Sequence, residues 1–335
     1  MAFAPHSTTV LVTGFTGFVG SHVADQLLKA GYRVRGTTRT ASKAAFLHEK
    51  FTREYGVGRF EVAEVPDMTA SGAFDIATQG VSAVIHVAAI LNLSTVLEEV
   101  YEPDVQGTLS VLRAAAKTST VERVIVTSST TAGAYPRPDV AVAVTEDSWN
   151  ACSINKYKDL EGPLRAHHIY AYSKTESEKA AWKFVQDEKP GFTLNTILPG
   201  HCFGPSLDPT SVTSSAQFAL AVLRGTFNEV QFRSIFPSWF VDVRDAALLH
   251  VAALTSAPGA RIYAVTKPWS WNELLRIVRE LRPERTDLPE SCPAWATLRD
   301  LSNIDNRRGT ALLKGMGRED WISLEESVAA NITGF

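Results

Sequence analysis

Five consecutive residues, Tyr170-Ala171-Tyr172-Ser173-Lys174, carry the clearest chemistry in this sequence. A spacing of four puts the Tyr170 phenol and the Lys174 ammonium on one helix face. Glu176, Glu178 and Lys179 continue a helix-forming pattern. A free phenol has a pKa near ~10 and is a poor acid at neutral pH. An ammonium about 4 Å away, at an effective dielectric of ~20, favours the phenolate by up to ~4 kcal/mol. The pair therefore predicts a Tyr170 that titrates near neutrality and serves as a general acid. The same spacing recurs in Tyr263-Ala264-Val265-Thr266-Lys267. That copy lies in a β-like run closed by Pro268, where the two side chains would not share a helix face. A third element is expected from Val124-Ile125-Val126-Thr127-Ser128-Ser129, an apolar strand ending in hydroxyls. Ser129 is placed to orient a substrate carbonyl toward Tyr170, with Ser128 the alternative one register away. The plain readings are an interfacial tyrosine with a solvated lysine, and ordinary turn hydroxyls.

A second constellation opens the chain. The apolar strand Thr8–Val12 runs into Thr13-Gly14-Phe15-Thr16-Gly17-Phe18-Val19-Gly20, followed by Val23, Leu27 and Leu28 at helical spacing. Strand, glycine-rich turn and helix together form a dinucleotide-binding arrangement. Gly14 allows the tight turn, Gly17 lets backbone N–H groups approach a pyrophosphate, and Gly20 lets helix and strand pack closely. The helix start offers N–H donors and a positive dipole end. A reader of a ribose 2′-hydroxyl would place Asp or Glu at the end of the second strand. Here that place holds Thr37-Thr38-Arg39-Thr40-Ala41-Ser42-Lys43. Arg39 can grip a 2′-phosphate and stack on adenine, with Lys43 as a second charge and Ser42 as a hydroxyl, so the cofactor expected is NADPH/NADP+ rather than NADH. Asp67 and Met68, after the third strand, are placed at the adenine edge.

These residues need a scaffold that brings strand ends together. Strands are expected at Thr8–Thr13, Arg33–Thr37, Phe60–Ala63, Ala83–Val87, Arg123–Thr127 and Phe192–Leu198, several of them continuous apolar runs suited to parallel strands covered on both faces. The crossovers between them are long enough for helices, which predicts an α/β fold with a doubly wound parallel sheet, a Rossmann arrangement. After Pro199-Gly200 the regularity breaks into a loop-rich stretch with Pro205, Pro209, Ser211, Ser214 and Ser215. Val241 to Leu254 reads as a return to the main sheet, Arg261–Val265 as a further strand, and Trp271–Leu281 as a helix. The division expected is a cofactor domain of residues 1–198 and about 239–265, and a smaller, mostly helical substrate-binding lobe of 199–238 and about 266–335, with a cleft beyond the C-terminal strand ends.

On these motifs the chain resembles the extended short-chain dehydrogenase/reductases. The matching residues are Thr13-Gly14-x-x-Gly17-x-x-Gly20, His86-Val87-Ala88-Ala89, Ser129, Tyr170-x-x-x-Lys174, Leu198-Pro199-Gly200 and Val241-Asp242-Val243-Arg244-Asp245. Within that superfamily it is most similar to the dihydroflavonol-reductase-like branch, with its fungal NADPH-dependent methylglyoxal and aldehyde reductases and ketoreductases. Arg39…Lys43 and Lys174-x-x-x-Glu178-Lys179-Ala180-Ala181-Trp182 carry the closer match. The resemblance implies a catalytic triad of Ser129, Tyr170 and Lys174, with Lys174 also on the nicotinamide ribose. It implies cofactor contacts from the glycine turn, from Val87, Ala88 and Ala89, and from Pro199, Gly200 and Cys202 within a nicotinamide pocket spanning Pro199 to Phe203. Two departures stand out. Gln106 precedes Gly107-Thr108 where many relatives carry Asn, and Ser238-Trp239-Phe240 stands where nucleotide-sugar relatives place an Arg.

The remaining sequence narrows the function classes. The net charge is −3, with no basic stripe or acidic tail, which argues against nucleic acid and anionic membranes as partners. No apolar run approaches the ~18 residues of a membrane span. The first seven residues lack a secretory signal pattern. The three cysteines, Cys152, Cys202 and Cys292, lie far apart without metal-ligand spacing and read as reduced thiols of a cytoplasmic protein. The acceptor-like patterns at Asn92 and Asn331 would go unused there. Ile90 to Leu93, Thr130, Thr131, Tyr135, His167, His168, His201, Phe203 and Ile235 to Trp239 are the candidate pocket residues. This mainly apolar set suits a neutral, small to medium carbonyl compound. His201 reads as a packing residue before a proton relay, and His167-His168 lacks a third ligand, so no metal site is expected. The function expected is NADPH-dependent carbonyl reduction by a monomer or homodimer. The alternatives are a nucleotide-sugar epimerase or dehydratase with bound NAD, and a non-catalytic NADP(H) sensor.

Overall fold

A computed structural model describes residues 3–227, 235–291 and 298–335. The first crossovers are β1 (Thr9–Thr13), α1 (Phe18–Lys29), β2 (Arg33–Thr38), α2 (Ala45–Tyr55), β3 (Phe60–Glu64), β4 (Ala83–His86), α3 (Tyr101–Lys117) and β5 (Arg123–Thr127). A short helix α4 (Thr130–Gly133), the two-residue strand β6 (Ala143–Val144) and α5 (Cys152–Lys156) follow. They lead into the long helix α6 (Gly162–Glu188) and then β7 (Thr193–Pro199), β8 (His201–Phe203), α7 (Ala216–Arg224), β9 (Ser238–Asp242), β10 (Arg261–Ala264), β11 (Lys267–Trp269) and β12 (Asn303–Ile304).

The main sheet has seven parallel strands in the order β10-β7-β5-β4-β1-β2-β3. The chain winds outward from β1 in one direction through β2 and β3, then restarts at β4 and winds the other way. The crevice of such a sheet opens where the winding reverses, between β1 and β4. The interiors of β1, β4 and β5, at the centre of the sheet, are apolar because both faces are covered there. Val10, Val12, Ile85 and Ile125 pack toward α1 and the helix Val243–Ala252, while Leu11, Val84, Val124 and Val126 pack toward α3 and α6.

One expectation takes a different form. The segment after Val241 does not add its strand to the main sheet. Strand β9 pairs in parallel with β8 and antiparallel with β11 in a separate three-stranded sheet. Its first residues serve the lobe core, where Phe240 packs with Phe203, Trp269 and Trp271. Only the following helix, Val243–Ala252, returns to the main domain, and it packs on α1. Helices Ala216–Arg224, Trp271–Leu281 and Leu324–Ile332 supply most of the regular structure of the lobe, with the pair β6–β12 beside this small sheet. Ser270 caps the second of these helices by accepting from the Glu273 N–H.

Two buried histidines join the layers. His250 Nδ1 lies 2.7 Å from the Ala246 carbonyl, so that nitrogen carries the proton, and Nε2 accepts from the Thr127 hydroxyl at 2.9 Å. His86 has the opposite tautomer. The Thr13 hydroxyl accepts from the Val87 and Ala88 N–H groups and must give its single proton to His86 Nδ1, 2.8 Å away. Nε2–H then donates to Thr108, which donates to Ser177. This directed chain ties β1, β4, α3 and α6.

Burial drives both imidazoles below their ordinary value, His250 to about 4 and His86 to about 3. Both are neutral in the fold and protonatable in the unfolded chain. Their contribution is complete above about pH 6.5 and is lost as pH falls toward the folded values, because only the unfolded state takes up the protons. Urea unfolding between about pH 7 and 5 should show stability falling, by up to ~2 kcal/mol per imidazole. His250→Gln should flatten that slope; an unchanged slope would show that His250 already titrates in the fold.

Candidate active site

The glycine turn lies at the winding reversal. Gly14 follows β1 at φ +65°, a left-handed conformation that favours glycine, and a β-carbon there would sit 2.9 Å from Ala88 Cα. At Gly20 a β-carbon would fall 2.3 Å from the Gly14 carbonyl oxygen, so helix and turn touch only through glycine. A β-carbon at Gly17 would meet only that same carbonyl, at 3.3 Å, and otherwise open space. The N-terminus of α1 has no side-chain cap and no acidic residue in its first turn. The space over Gly17 and the free helix end fit a pyrophosphate. Val87, Ala88 and Ala89 follow β4 on the other side of the crevice, held at their first two N–H groups by Thr13. Phe15 is buried against Phe60, so its side chain is core.

At the end of β2, Arg39 and Lys43 are exposed, and neither has an ionic partner among the described residues. Their charges fit a 2′-phosphate. The sequence did not reveal a carboxylate nearby. Glu64, opposite Thr38 in the β2–β3 register, accepts from the Ala41 N–H at the start of the turn that carries Lys43. Asp67 is held by the Thr69 N–H and hydroxyl, and Met68 leans on Gly107 of α3.

Helix α6 presents Tyr170 and Lys174 at the C-terminal edge of β5. Tyr170 faces Ser129. Ser129 accepts from the Thr131 N–H at 3.2 Å and the Thr131 hydroxyl at 3.0 Å, which leaves its own proton free to turn toward the phenol. Ser128 points the other way, donating to buried Glu178 at 2.6 Å. Alternation along an extended chain therefore separates the two hydroxyls, and Ser129 is the one that meets the phenol. Tyr263, by contrast, lies on β10 with its hydroxyl donating to the Thr145 carbonyl at 3.2 Å. It shares no helix face with Lys267.

The charge expected at Tyr170 is corrected. Lys174 Nζ donates to the Thr127 carbonyl at 3.0 Å and lies 3.8 Å from the Asp104 carboxylate. Tyr170 is pushed up to about 12, first by burial, against the hydrogen bond from Ser129, with Asp104 adding to the rise. The ammonium is shared with a carboxylate that spacing along α6 could not reveal. Gln106 is exposed, whereas Asp104, two residues earlier on α3, faces the lysine.

Pro199 ends β7, and Gly200 leads into β8 with no room for a β-carbon, which would fall 2.4 Å from the Trp239 carbonyl oxygen. Cys202 is buried, its thiol pushed up to about 12 by burial, and donates to the Gly200 carbonyl. Cys292 lies outside the described residues. His201 Nδ1 pairs with Ser238 Oγ at 2.7 Å and its ring lies between Phe218 and Trp269. Burial lowers it to about 4, which makes it a neutral packing residue. His168 stacks on Tyr135 at 3.8 Å and pairs with Ser153. Thr130, Tyr135, Ser238 and Trp239 line one shallow cavity with Ser302 and Ile304. Phe203 and Ile235, expected at the pocket, are instead buried in the lobe core.

The sequence matches the profile of the NAD dependent epimerase/dehydratase family over residues 10–265. The chain belongs to this family. It is 40% identical over 333 residues to aldehyde reductase 2 of Sporidiobolus salmonicolor, covering 98% of this chain and 96% of the relative. It is 35% identical over 335 residues to ketoreductase adrE of Penicillium roqueforti, again covering 98% and 96%. Among solved structures, Gre2 from Candida albicans in complex with NADPH superimposes with a TM-score of 0.80 at 30% identity, over 96% of this chain and 97% of that one. The fold expected from the sequence, an α/β doubly wound sheet of the extended short-chain dehydrogenase/reductase type, is the fold observed.

The two serines predict opposite phenotypes. Ser128→Ala removes a donor from a buried carboxylate and should cost about 1–3 kcal/mol of stability with the catalytic rate largely kept. Ser129→Ala should leave stability within ~1 kcal/mol and lower kcat by a factor of ~10² or more. Chemical denaturation and turnover on both variants check this; swapped phenotypes would reassign the active hydroxyl to Ser128.

Proposed function

We propose that this chain is an NADPH-dependent oxidoreductase that reduces the carbonyl of a small to medium, largely apolar aldehyde or ketone to the alcohol. The observation that carries the reading is the Tyr170 phenol facing Ser129, with Lys174 one turn away on the same helix, set at the strand ends beside the glycine turn. The relatives named as an aldehyde reductase and a ketoreductase, and the NADPH complex of Gre2, support the same chemistry and cofactor.

When bound, NADPH supplies a hydride to the carbonyl carbon and leaves as NADP+. The residues suited to hold it are Gly14 to Val19 at the pyrophosphate, Arg39 and Lys43 at the 2′-phosphate, and Pro199, Gly200 and Cys202 on the nicotinamide side. Ser129 orients the substrate oxygen. Tyr170 gives its O–H proton to that oxygen as negative charge develops there, and Lys174 then offsets the charge left on the phenolate. Burial keeps Tyr170 protonated, so its proton is present at neutral pH, and Lys174 offsets the cost of giving it up. In this reading the main sheet and its helices carry the cofactor, and the lobe built from 199–238 and 266–335 faces the substrate. No described helix is long and apolar enough to cross a membrane. The chain is read as a cytoplasmic enzyme, monomeric or homodimeric. Epimerisation of a nucleotide sugar is disfavoured because Ser238 is engaged with His201 and Trp239 with Ser302 where a diphosphate would need a cation.

Two variants test the reading. Tyr170→Phe keeps the ring and should lower kcat on an accepted aldehyde by ~10²–10⁴-fold with NADPH affinity nearly intact. Tyr263→Phe is the matched control and should retain turnover. A larger loss in the control, or full activity in Tyr170→Phe, would overturn the assignment. Arg39→Asp should move the kcat/KM ratio from NADPH toward NADH by several kcal/mol at most, through a lost charge-assisted contact and new repulsion; a constant ratio would show that the 2′-phosphate is read elsewhere.

A further inference from the structure

The active-site helix carries an ammonium that the proposed reaction needs, yet α3 sends a carboxylate to meet it. Asp104 is 2% exposed. One of its oxygens accepts from the Ile90 N–H at 3.2 Å, and the other accepts from the Ser173 hydroxyl at 3.3 Å and lies 3.8 Å from Lys174 Nζ. Two fixed donors hold the carboxylate in place, so its position does not depend on the lysine. Lys174 in turn lies between this carboxylate and the Thr127 carbonyl. A buried carboxylate is costly to desolvate and is kept only where it is well partnered. Packing α3 on α6 would be satisfied by a neutral residue at this position, so the charge calls for an electrostatic account.

We propose that Asp104 is a positioning residue: it holds the Lys174 ammonium against the Thr127 carbonyl and takes up part of its charge, so that Tyr170 remains a proton donor across the neutral and alkaline range. The inference rests on the reading of Tyr170 as the acid of a carbonyl reductase.

Among the described residues the titratable groups facing this pair are few. Besides Asp104 from α3, they are His86 from β4 and Cys202 from β8. His86 is driven down to about 3 by burial, with Lys174 contributing, and Cys202 is driven up to about 12. Both are neutral between those limits, which leaves Asp104 as the negative charge that the lysine and the phenol feel. The sign follows directly. A carboxylate disfavours the phenolate, and removing it while keeping Lys174 favours ionisation at lower pH. Reduction requires the protonated phenol, so its rate falls as pH rises through the Tyr170 transition.

Asp104→Asn is nearly isosteric and can still accept from the Ile90 N–H. It should lower the alkaline limb of the reductive kcat/KM profile by on the order of one pH unit, the effect of one charge a few ångströms away at an effective dielectric of about 20. The same displacement should appear without cofactor or substrate, in the near-ultraviolet tyrosinate titration taken as the difference from the matching Tyr170→Phe protein. Asp104→Ala, which gives up both hydrogen bonds with the charge, should move the limb in the same direction. Superimposable profiles, a uniform loss of rate at every pH, or an upward shift in either variant would overturn the role of Asp104. Absence of carbonyl reduction in the wild type, with the tyrosinate transition still displaced in Asp104→Asn, would overturn the reductase reading and leave the charge assignment standing.

Discussion

A carboxylate with no exposed surface cannot remain charged without donors, and Glu178 has gathered them from its own helix and from three strand segments of the main sheet. It accepts from Ser128 at the end of β5, Thr196 on β7, Trp182 one turn along α6, and Arg261 on β10 through two nitrogens. Arg261 also donates to the Glu146 and Ser148 carbonyls and lies 3.8 Å over the Trp149 ring. Burying such a pair is costly, and losing one partner costs more, because the other charge is stranded. The pair therefore fixes register rather than adding simple stability. Glu178 stands one helical turn beyond Lys174 and two beyond Tyr170, so anchoring it to three strands sets both the rotation and the height of the helix face that carries them. Slippage of α6 by one residue would strand the Arg261 guanidinium.

The same anchor explains how two adjacent serines acquire different tasks. Extended backbone sends consecutive side chains to opposite sides. Once Ser128 is drawn to Glu178, Ser129 is turned toward Tyr170. Thr127, one residue earlier, spends its hydroxyl on His250 and its carbonyl on Lys174. Three consecutive residues at one strand end thus hold the rear helix, the lysine, the structural carboxylate and the phenol. The arrangement is built from the strand outward, with Ser129 last in the series.

Much of this was legible in the sequence where local rules decide. The strands of the main sheet are legible within a residue or two of their observed ends, several of them as apolar runs because both faces are covered there and no polar alternation is needed. Gly14, Gly17 and Gly20 announce their turn because side chains are forbidden at two of them by backbone contact. The helical context separates Tyr170–Lys174 from Tyr263–Lys267. What pattern reading missed depends on pairing between distant segments. The strand β9 has the composition of a core strand, and nothing local distinguishes a partner in β8 from one in the main sheet. Phe203 and Ile235 are apolar residues near the site in sequence, but lobe helices cover them. Asp104 is invisible for the same reason. Its significance lies in the approach of α3 to α6, and a lone Asp in a helix ordinarily reads as a solvated charge.

Charge is distributed unequally between the two ends of the crevice, and burial accounts for the difference. At the catalytic end the ammonium of Lys174 is enclosed, so leaving it unpaired would be expensive, and Asp104 and the Thr127 carbonyl supply its partners. At the outer end Arg39 and Lys43 are exposed and bear their charge at little cost in water, free to bind an anion. The carboxylate nearest to them, Glu64, is occupied by the Ala41 N–H, which draws its hydrogen-bonding capacity into the turn while leaving its charge in the neighbourhood. An anion arriving there meets two cations that no salt bridge holds among the described residues, so little beyond its own hydration has to be given up. Among the described residues the exposed end thus keeps its charges unpaired, while the enclosed end holds a charge paired in advance, and both lie along the same set of strand ends.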